Sequence, residues 1–424
     1  MDFLHCMELN EAQRLMEENL TESLVGEELV ELPEAFGRIT SEDIRATEDL
    51  PPFARSTVDG YAVRSEDTFG ASESAGALFT IIGEVSMGKE TKLELGPGEA
   101  VTVPTGGMLP GGADAVVMLE YTERPDEQTL LIQRMVAPNE NVMTRGEDIT
   151  AGACIVRQGV RITPQHIGLL AACGCHHLKV REKIKVALIS SGDELVDIHD
   201  TPAFGQIRDV NSYSLAAMLT EMGCEVERVG IVKDSYGHFL SSLSDAVANF
   251  QMVLISGGSS VGTKDFTVPA MQALGGPGIL IHGLAIKPGK PTIFGMVGRV
   301  PVFGLPGHPV AALTVCGQLV AAAVHQMTGL QRTSTAGGVP AVLGRNIASA
   351  PGRDDFVQVR LKKSTEGLVA EPVFGKSGLI SIMAQADGII RIPAAKSGLY
   401  EGEQVFVYKT SDGMERGVEG LGEK

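Results

Sequence analysis

The chain has 424 residues, of which 35 are basic and 53 acidic, giving a net charge of −18 at pH 7. That balance lacks the basic footprint of a nucleic-acid-binding protein, and 43% apolar residues exclude wholesale disorder. At roughly 150 residues per domain, the length suggests about three domains.

The opening stretch, MDFLHCMELNEAQ, has no basic segment and turns acidic at once, so no secretory signal and a cytoplasmic location are expected. Asn10 reads as the N-cap of a helix over EAQRLMEENL, and an extended connection follows to Pro51-Pro52. From Ala77 to Val136 short alternating apolar runs (ALFTIIGEV, EAVTVP, ADAVVMLEY, TLLIQRMV) argue a β-rich module. Thr163-Pro164 then makes a helix start and Gly174 a stop. The next stretch alternates strands (KIKVALIS, CEVERVGIV, QMVLISGG, VPVFGLPG) with helices: one capped by Asn211 and ending at Gly223, one opened by Asp234, and a long one after Pro309. Such alternation implies an α/β fold with a doubly wound, mainly parallel sheet covered by helices on both faces. Beyond Gly329, DDFVQVRL, GLVAEPVF, DGIIRIP and EQVFVYK announce a second β module.

The expected division is a mixed α/β linker domain from 1–52 with 142–180, a β-rich domain at 53–141, the doubly wound domain at 181–330 and a C-terminal barrel-like domain at 331–424. The longest nearly apolar run, Leu313 to Val324, is about a dozen residues, short of a bilayer span, so no membrane association is expected.

In open parallel sheets ligands gather beyond the C-terminal strand ends. Three strand ends here carry acids or glycines: Ser190–Glu194, Lys233–Ser235 and Ser256–Asp265. Gly257-Gly258 with Ser259, Ser260 and Gly262 lets backbone N–H groups approach a phosphate, and carboxylates on neighbouring strand ends can hold Mg²⁺ against it. In Ala285–Pro291 (AIKPGKP), Lys287 and Lys290 are set by rigid prolines and glycine to meet an oxyanion. This segment is not a P-loop, because Gly283 and Gly289 are separated by five residues and Pro291 follows Lys290. Gly258–Gly262 matches a nucleophile-elbow pattern, but Gly-Thr-Lys-Asp intervenes before the next helix, which argues against a serine hydrolase. Cys173-Gly-Cys175-His176-His177 lacks zinc-site spacing and reads as a helix end followed by a strand. The six cysteines are too sparse for a disulfide framework.

PPFARSTVDGYAV (51–63), VPTGGMLPGGADAVVMLE (103–120), RGEDI (145–149), SSGDEL (190–195), ISGGSSVGTKDF (255–266), AIKPGKP (285–291), GLPGHPV (304–310) and GKSGLIS (375–381) together resemble the MoeA family of molybdopterin molybdenumtransferases, which includes the E domain of gephyrin. The resemblance spans roughly residues 7–410. It implies a molybdopterin-binding doubly wound domain and insertion of molybdenum from molybdate into adenylylated molybdopterin, with Mg²⁺-assisted release of AMP. It also implies a homodimer whose cleft includes the partner's N-terminal half. A molybdopterin adenylyltransferase and molybdoenzyme maturation proteins are conceivable partners; nucleic acid is not.

Carried over residue by residue, the resemblance places Asp59, Thr105 and Asp148 at the cleft from the N-terminal half. Glu194, Asp234 and Asp265 form the acidic, Mg²⁺-holding group, and Lys287 and Lys290 hold phosphate or molybdate. Ser191, Gly192, Gly257, Gly258, Ser259, Ser260, Gly262, Pro306 and Ser377 line the ligand. Two departures stand out: His308 replaces a common Asn, and Gly283 replaces a lysine found in some members. Tungstate insertion by the same chemistry and a non-catalytic binding or scaffold role remain the alternatives.

Overall fold

The computed structural model describes residues 6–21, 25–233, 235–257, 266–331, 337–365 and 367–409. Its centre is a six-stranded sheet of β1 (Lys185–Ser191), β2 (Glu225–Val232), β3 (Met252–Ser256), β4 (Pro277–His282), β5 (Ile293–Val297) and β6 (Val300–Leu305), in the order β2-β1-β3-β6-β5-β4. The first four in that order are parallel, whereas β5 and β4 form an antiparallel meander off β6. Sequence patterning did not separate β4 and β5, because Pro277, Gly278 and Gly295 break the apolar run that normally marks a buried strand.

Side chains alternate across this sheet with the period of two that strands impose. Val186, Leu188, Met252, Leu254 and Phe303 pack on one face against α1 (Asn211–Glu221) and a long C-terminal helix. Ala187, Ile189, Val253, Ile255 and Val302 pack on the other against α2 (Tyr236–Asn249) and α3 (Thr267–Leu274). The long helix, α4 (Pro309–Thr328), contains a π turn over Cys316–Val320 and stops at Gly329 with φ +65°. At 20 residues it is the long helix expected after Pro309, and Thr314, Gly317 and Gln318 interrupt its apolar run but not the helix. Its length and composition would allow it to cross a membrane, yet 94% of its apolar window is buried inside the protein.

The N-terminal helix, Leu9–Asn19, also packs on this sheet: Leu9, Ala12, Met16 and Leu20 join the core of β1, α1 and α4. Asn10 is not its N-cap; Glu8 is, without a side-chain bond, because the buried stripe begins at Leu9 and draws Asn10 into the first turn. Ahead of it, Met7 bridges to Leu284, placing Cys6 near the loop after β4.

Outside this unit, strand Glu27–Glu31 pairs with His177–Arg181 over a core of Val30, Ile162, Leu170 and Val180. Helix Pro164–Ala172 begins, as expected, with Thr163 accepting from the His166 N–H. Strands 60–63, 77–84, 99–103, 115–118, 122–123 and 129–132 form a second six-stranded sheet. In the C-terminal part, Asp354–Ser364 pairs with Gly367–Pro372, which pairs with Val339–Leu343, then Gln404–Lys409, then Gly388–Ile392, which returns to the first strand. The sheet is therefore closed, which removes its free edges.

Candidate active site

The loop after β4 meets the closed sheet through a two-residue parallel ladder, Ile286 opposite Asp354 and Lys287 opposite Asp355. Gly289 makes the loop's turn possible: its φ is +124°, and a Cβ there would lie 2.7 Å from Ile286 Cδ1 and Val315 Cγ2. The ladder sets the Lys287 Nζ 3.5 Å from the Asp355 carboxylate, which also accepts from Arg353 Nε at 3.0 Å. Asp355 is buried, whereas Lys287 and Arg353 are half exposed, so the pairs add little stability. Their consequence is orientation, since one buried anion fixes two cations. A cavity of about 400 Å³ opens there, lined by Lys287, Lys290, Arg353, Pro306, His308, Ser377 and Cys6. Among the described residues, three cations and no carboxylate line it, the chemistry of an oxyanion site.

A second cavity, of about 490 Å³, lies beyond the strand ends and is lined by Ser191, Glu194, Asp209, Asn211, Ser256, Gly257 and His308, with apolar walls from Leu195, Pro202, Ile207 and Ile380. In-register pairing brings the ends together: Ser190 sits opposite Ser256, Ser191 opposite Val232, and Ser256 opposite Leu305. Gly257 takes φ +87° and passes so close to β1 that a Cβ would lie 2.2 Å from the Ser191 carbonyl oxygen.

Asn211 is inside α1 rather than its cap. Its amide nitrogen donates to Ser256 Oγ at 2.8 Å and to the Gly307 carbonyl at 2.9 Å, clamping the β3 end to the loop after β6. Capping falls instead to buried Asp209, which accepts from the Ser212 N–H at 3.1 Å and Ser190 Oγ at 2.6 Å. Gly192 faces a third, adjoining cavity of about 740 Å³ with Asp193, Arg228 and Lys233.

The structure thus brings together Ser191, Glu194 and Gly257 in one cavity and Lys287, Lys290, Pro306 and Ser377 in the other. Asp234, Gly258, Ser259, Ser260, Gly262 and Asp265 lie outside the described residues. Asp59, Thr105 and Asp148 line neither cavity. Asp59 and Thr105 do meet: the exposed Asp59 carboxylate accepts from the Thr105 N–H at 2.7 Å. Asp148 is exposed, and its N–H donates to the Leu50 carbonyl at 3.1 Å. Arg145 pairs with neither Glu147 nor Asp148 but with Asp49, at 2.7 Å, because the turn folds back onto residues 49–51. That bond and, more strongly, the Ala151 N–H hold the Asp49 carboxyl below its usual range.

Sequence reasoning missed Arg353, Asp355, Asp209 and the clamp role of Asn211. A usable signal was Arg353-Asp354-Asp355 opening an apolar strand, where buried acids need cationic partners. In the cysteine cluster, Cys173 and Cys175 have thiols pushed up chiefly by burial, which disfavours the thiolate a metal would need. Among the described residues no group of three or more His, Cys, Asp or Glu is gathered as a metal site.

A parallel α/β sheet that opens at its strand ends beside a cationic cavity defines a protein built to bind an anionic ligand. The chain matches the MoeA N-terminal region (domain I and II) over residues 7–174, a probable molybdopterin binding domain over 187–326 and the MoeA C-terminal region (domain IV) over 340–410. A putative molybdopterin biosynthesis protein of Methanocaldococcus jannaschii is 36% identical over 414 residues, covering 95% of this chain and 98% of its own. A molybdopterin molybdenumtransferase of Haemophilus influenzae is 31% identical over 382 residues, 90% of this chain and 93% of its own. The crystal structure of a molybdopterin biosynthesis MoeA protein from Pyrococcus horikoshii OT3 superposes with a TM-score of 0.82 at 31% identity, covering 95% of this chain and 99% of that one. The chain belongs to the MoeA family, the enzymes of molybdenum cofactor biosynthesis.

Proposed function

We propose that this chain inserts molybdenum from molybdate into the dithiolene of adenylylated molybdopterin, with release of AMP assisted by Mg²⁺. The observation that carries the reading is the cavity lined by Lys287, Lys290 and Arg353, which shares His308 with the strand-end cavity and, like it, is bordered by the loop at Ser377–Ile380. A tetrahedral dianion fits a site with three cations, and the strand-end cavity, where Gly257 lets β3 close onto the Ser191 carbonyl of β1, lies next to it for the phosphate.

The carboxylate of Glu194 is exposed in the oxygen-rich strand-end cavity, the donor chemistry a hard cation takes from one or two carboxylates plus substrate phosphate. Glu194, together with Asp234 and Asp265, would hold Mg²⁺ there. When bound, the cation would neutralise charge on the phosphoanhydride as the adenylate leaves. Lys287, Lys290 and Arg353 orient the oxyanion, Asp355 holds two of these cations in place, and Asn211 keeps the strand ends together. Rate comes from positioning and electrostatics, and no nucleophilic side chain is called for.

Asp59, Thr105 and Asp148 enter this reading from a second copy of the chain in a cytoplasmic homodimer. The test mixes purified protein with adenylylated molybdopterin, Mg²⁺ and molybdate and follows AMP and cofactor. AMP release that requires the oxyanion and falls at least tenfold in Lys290→Ala supports the reading. Release independent of oxyanion, or unchanged in that variant, refutes it, and a tungstate arm decides metal choice. Activity restored by mixing Asp59→Asn with Lys290→Ala protein supports a shared site; no restoration, with subunit exchange verified, refutes it.

A further inference from the structure

Among the described residues, the oxyanion cavity and the strand-end cavity share one, His308. Its position is fixed from both sides. Ser377 Oγ lies 2.9 Å from His308 Nδ1, and the Val310 N–H donates to the Ser377 carbonyl at 3.2 Å, fastening the ring to the closed sheet's loop. On the preceding residue, the Gly307 carbonyl is held by Asn211 at 2.9 Å. His308 is the N-cap of α4, yet its side chain makes no capping bond, so the imidazole is not occupied in closing the helix. With Nδ1 engaged by Ser377, Nε2 is the ring's remaining polar atom, on an exposed residue that forms the wall between the two cavities.

We infer that His308 is a binding residue for the anion in this cleft and that anion binding there is coupled to uptake of a proton on its imidazole. The inference rests on the reading of the Lys287 and Lys290 cavity as an oxyanion site. Among the described residues, the charges around the ring are Lys287, Lys290 and Arg353 on one side and Glu194, Arg208 and Asp209 on the other, with Lys376 adjoining Ser377. Asp209 is already engaged by Ser190 and Ser212. A dianion brought beside the ring favours its protonated form, and the protonated form gives the dianion a further charge-assisted donor. The two events are therefore linked, and affinity rises as pH falls. Among the described residues lining the cationic cavity, imidazole and the Cys6 thiol are the side-chain types that change charge nearest neutrality, and His308→Asn with Cys6 left in place tells the two apart.

The experiment is calorimetric titration of the full-length protein with molybdate, from about pH 6 to about pH 8, where imidazole titrates. It is repeated in buffers of different ionisation enthalpy to count protons. Wild-type affinity should strengthen towards low pH, by at most ~tenfold per pH unit for one proton taken up. His308→Asn keeps a partner for Ser377 but cannot titrate, and should bind with a flat profile and no proton uptake. Ser377→Ala, which frees the ring, should lower affinity at every pH while retaining proton uptake. An equal slope and proton count in His308→Asn and wild type overturns the inference while leaving the oxyanion reading intact. If wild type does not bind molybdate, or Lys290→Ala binds it equally well, the cavity reading itself fails. Circular dichroism of each variant checks that the fold is retained.

Discussion

Replacing Gly257 with alanine tests whether the strand ends require the geometry the structure gives them. At φ +87° a residue with a Cβ pays ~1–2 kcal/mol for the left-handed conformation. The new methyl would lie 2.2 Å from the Ser191 carbonyl oxygen, so β1 and β3 must part by roughly 1 Å to restore van der Waals contact. That movement strains the bond from the Gly257 N–H to the Leu305 carbonyl, 3.2 Å long and worth ~1 kcal/mol. The total, ~2–3 kcal/mol, is a fraction of the roughly 5–15 kcal/mol that holds a domain folded, so the variant should fold with a lowered urea midpoint. Its cleft wall is displaced by about 1 Å, which can cost ~100-fold in rate.

Gly237→Ala is the control. Gly237 sits exposed in the first turn of α2 with nothing near the added methyl, and should be neutral or stabilising by up to ~1 kcal/mol. Far-UV circular dichroism in urea, suited to a chain without tryptophan, gives the midpoints, and AMP release gives the activity. A Gly257→Ala protein as stable and as active as Gly237→Ala would refute the reasoning.

Asn211→Ala removes two hydrogen bonds from a buried amide and leaves Ser256 and Gly307 unpartnered, so a loss of ~2–3 kcal/mol is expected in the same urea assay. Asn211→Asp should fare no better, because a carboxylate cannot donate to the Gly307 carbonyl. The cysteines should divide by burial: exposed Cys154 should be alkylated first in the native protein, with Cys224 and Cys316 reacting only on unfolding, as peptide mass mapping would show. Burial pushes the Cys224 thiol up from 9.0 to about 12. The unfolded chain therefore loses this proton first, and stability should decline as pH rises from 9.0 towards about 12, measured by urea midpoints against Cys224→Ser.

Local chemistry was legible in the chain. Apolar strands alternating with helices gave away the doubly wound sheet, since both periodicities are set by backbone geometry and need no tertiary knowledge. The Thr163-Pro164 start and the Gly174 stop follow from cap preferences and left-handed glycine in the same way. Lys287 and Lys290 were visible because prolines and glycine hold them in a short, unusual segment.

What the tertiary structure decided was partnership across distance. Asn211 looks like a cap from its neighbours alone; only packing of α1 onto β3 and β6 turns its amide inward to Ser256 and Gly307. Arg145 found Asp49, 96 residues away, rather than the acids beside it. Arg353 and Asp355 joined the lysines through a ladder between segments 68 residues apart. Helix α4 reads as long and apolar in isolation, and becomes a core element because the central sheet, α1 and the N-terminal helix pack against it. A hydrogen bond or an ion pair depends on where two groups meet, and that is settled by how the elements pack, which local patterning does not encode.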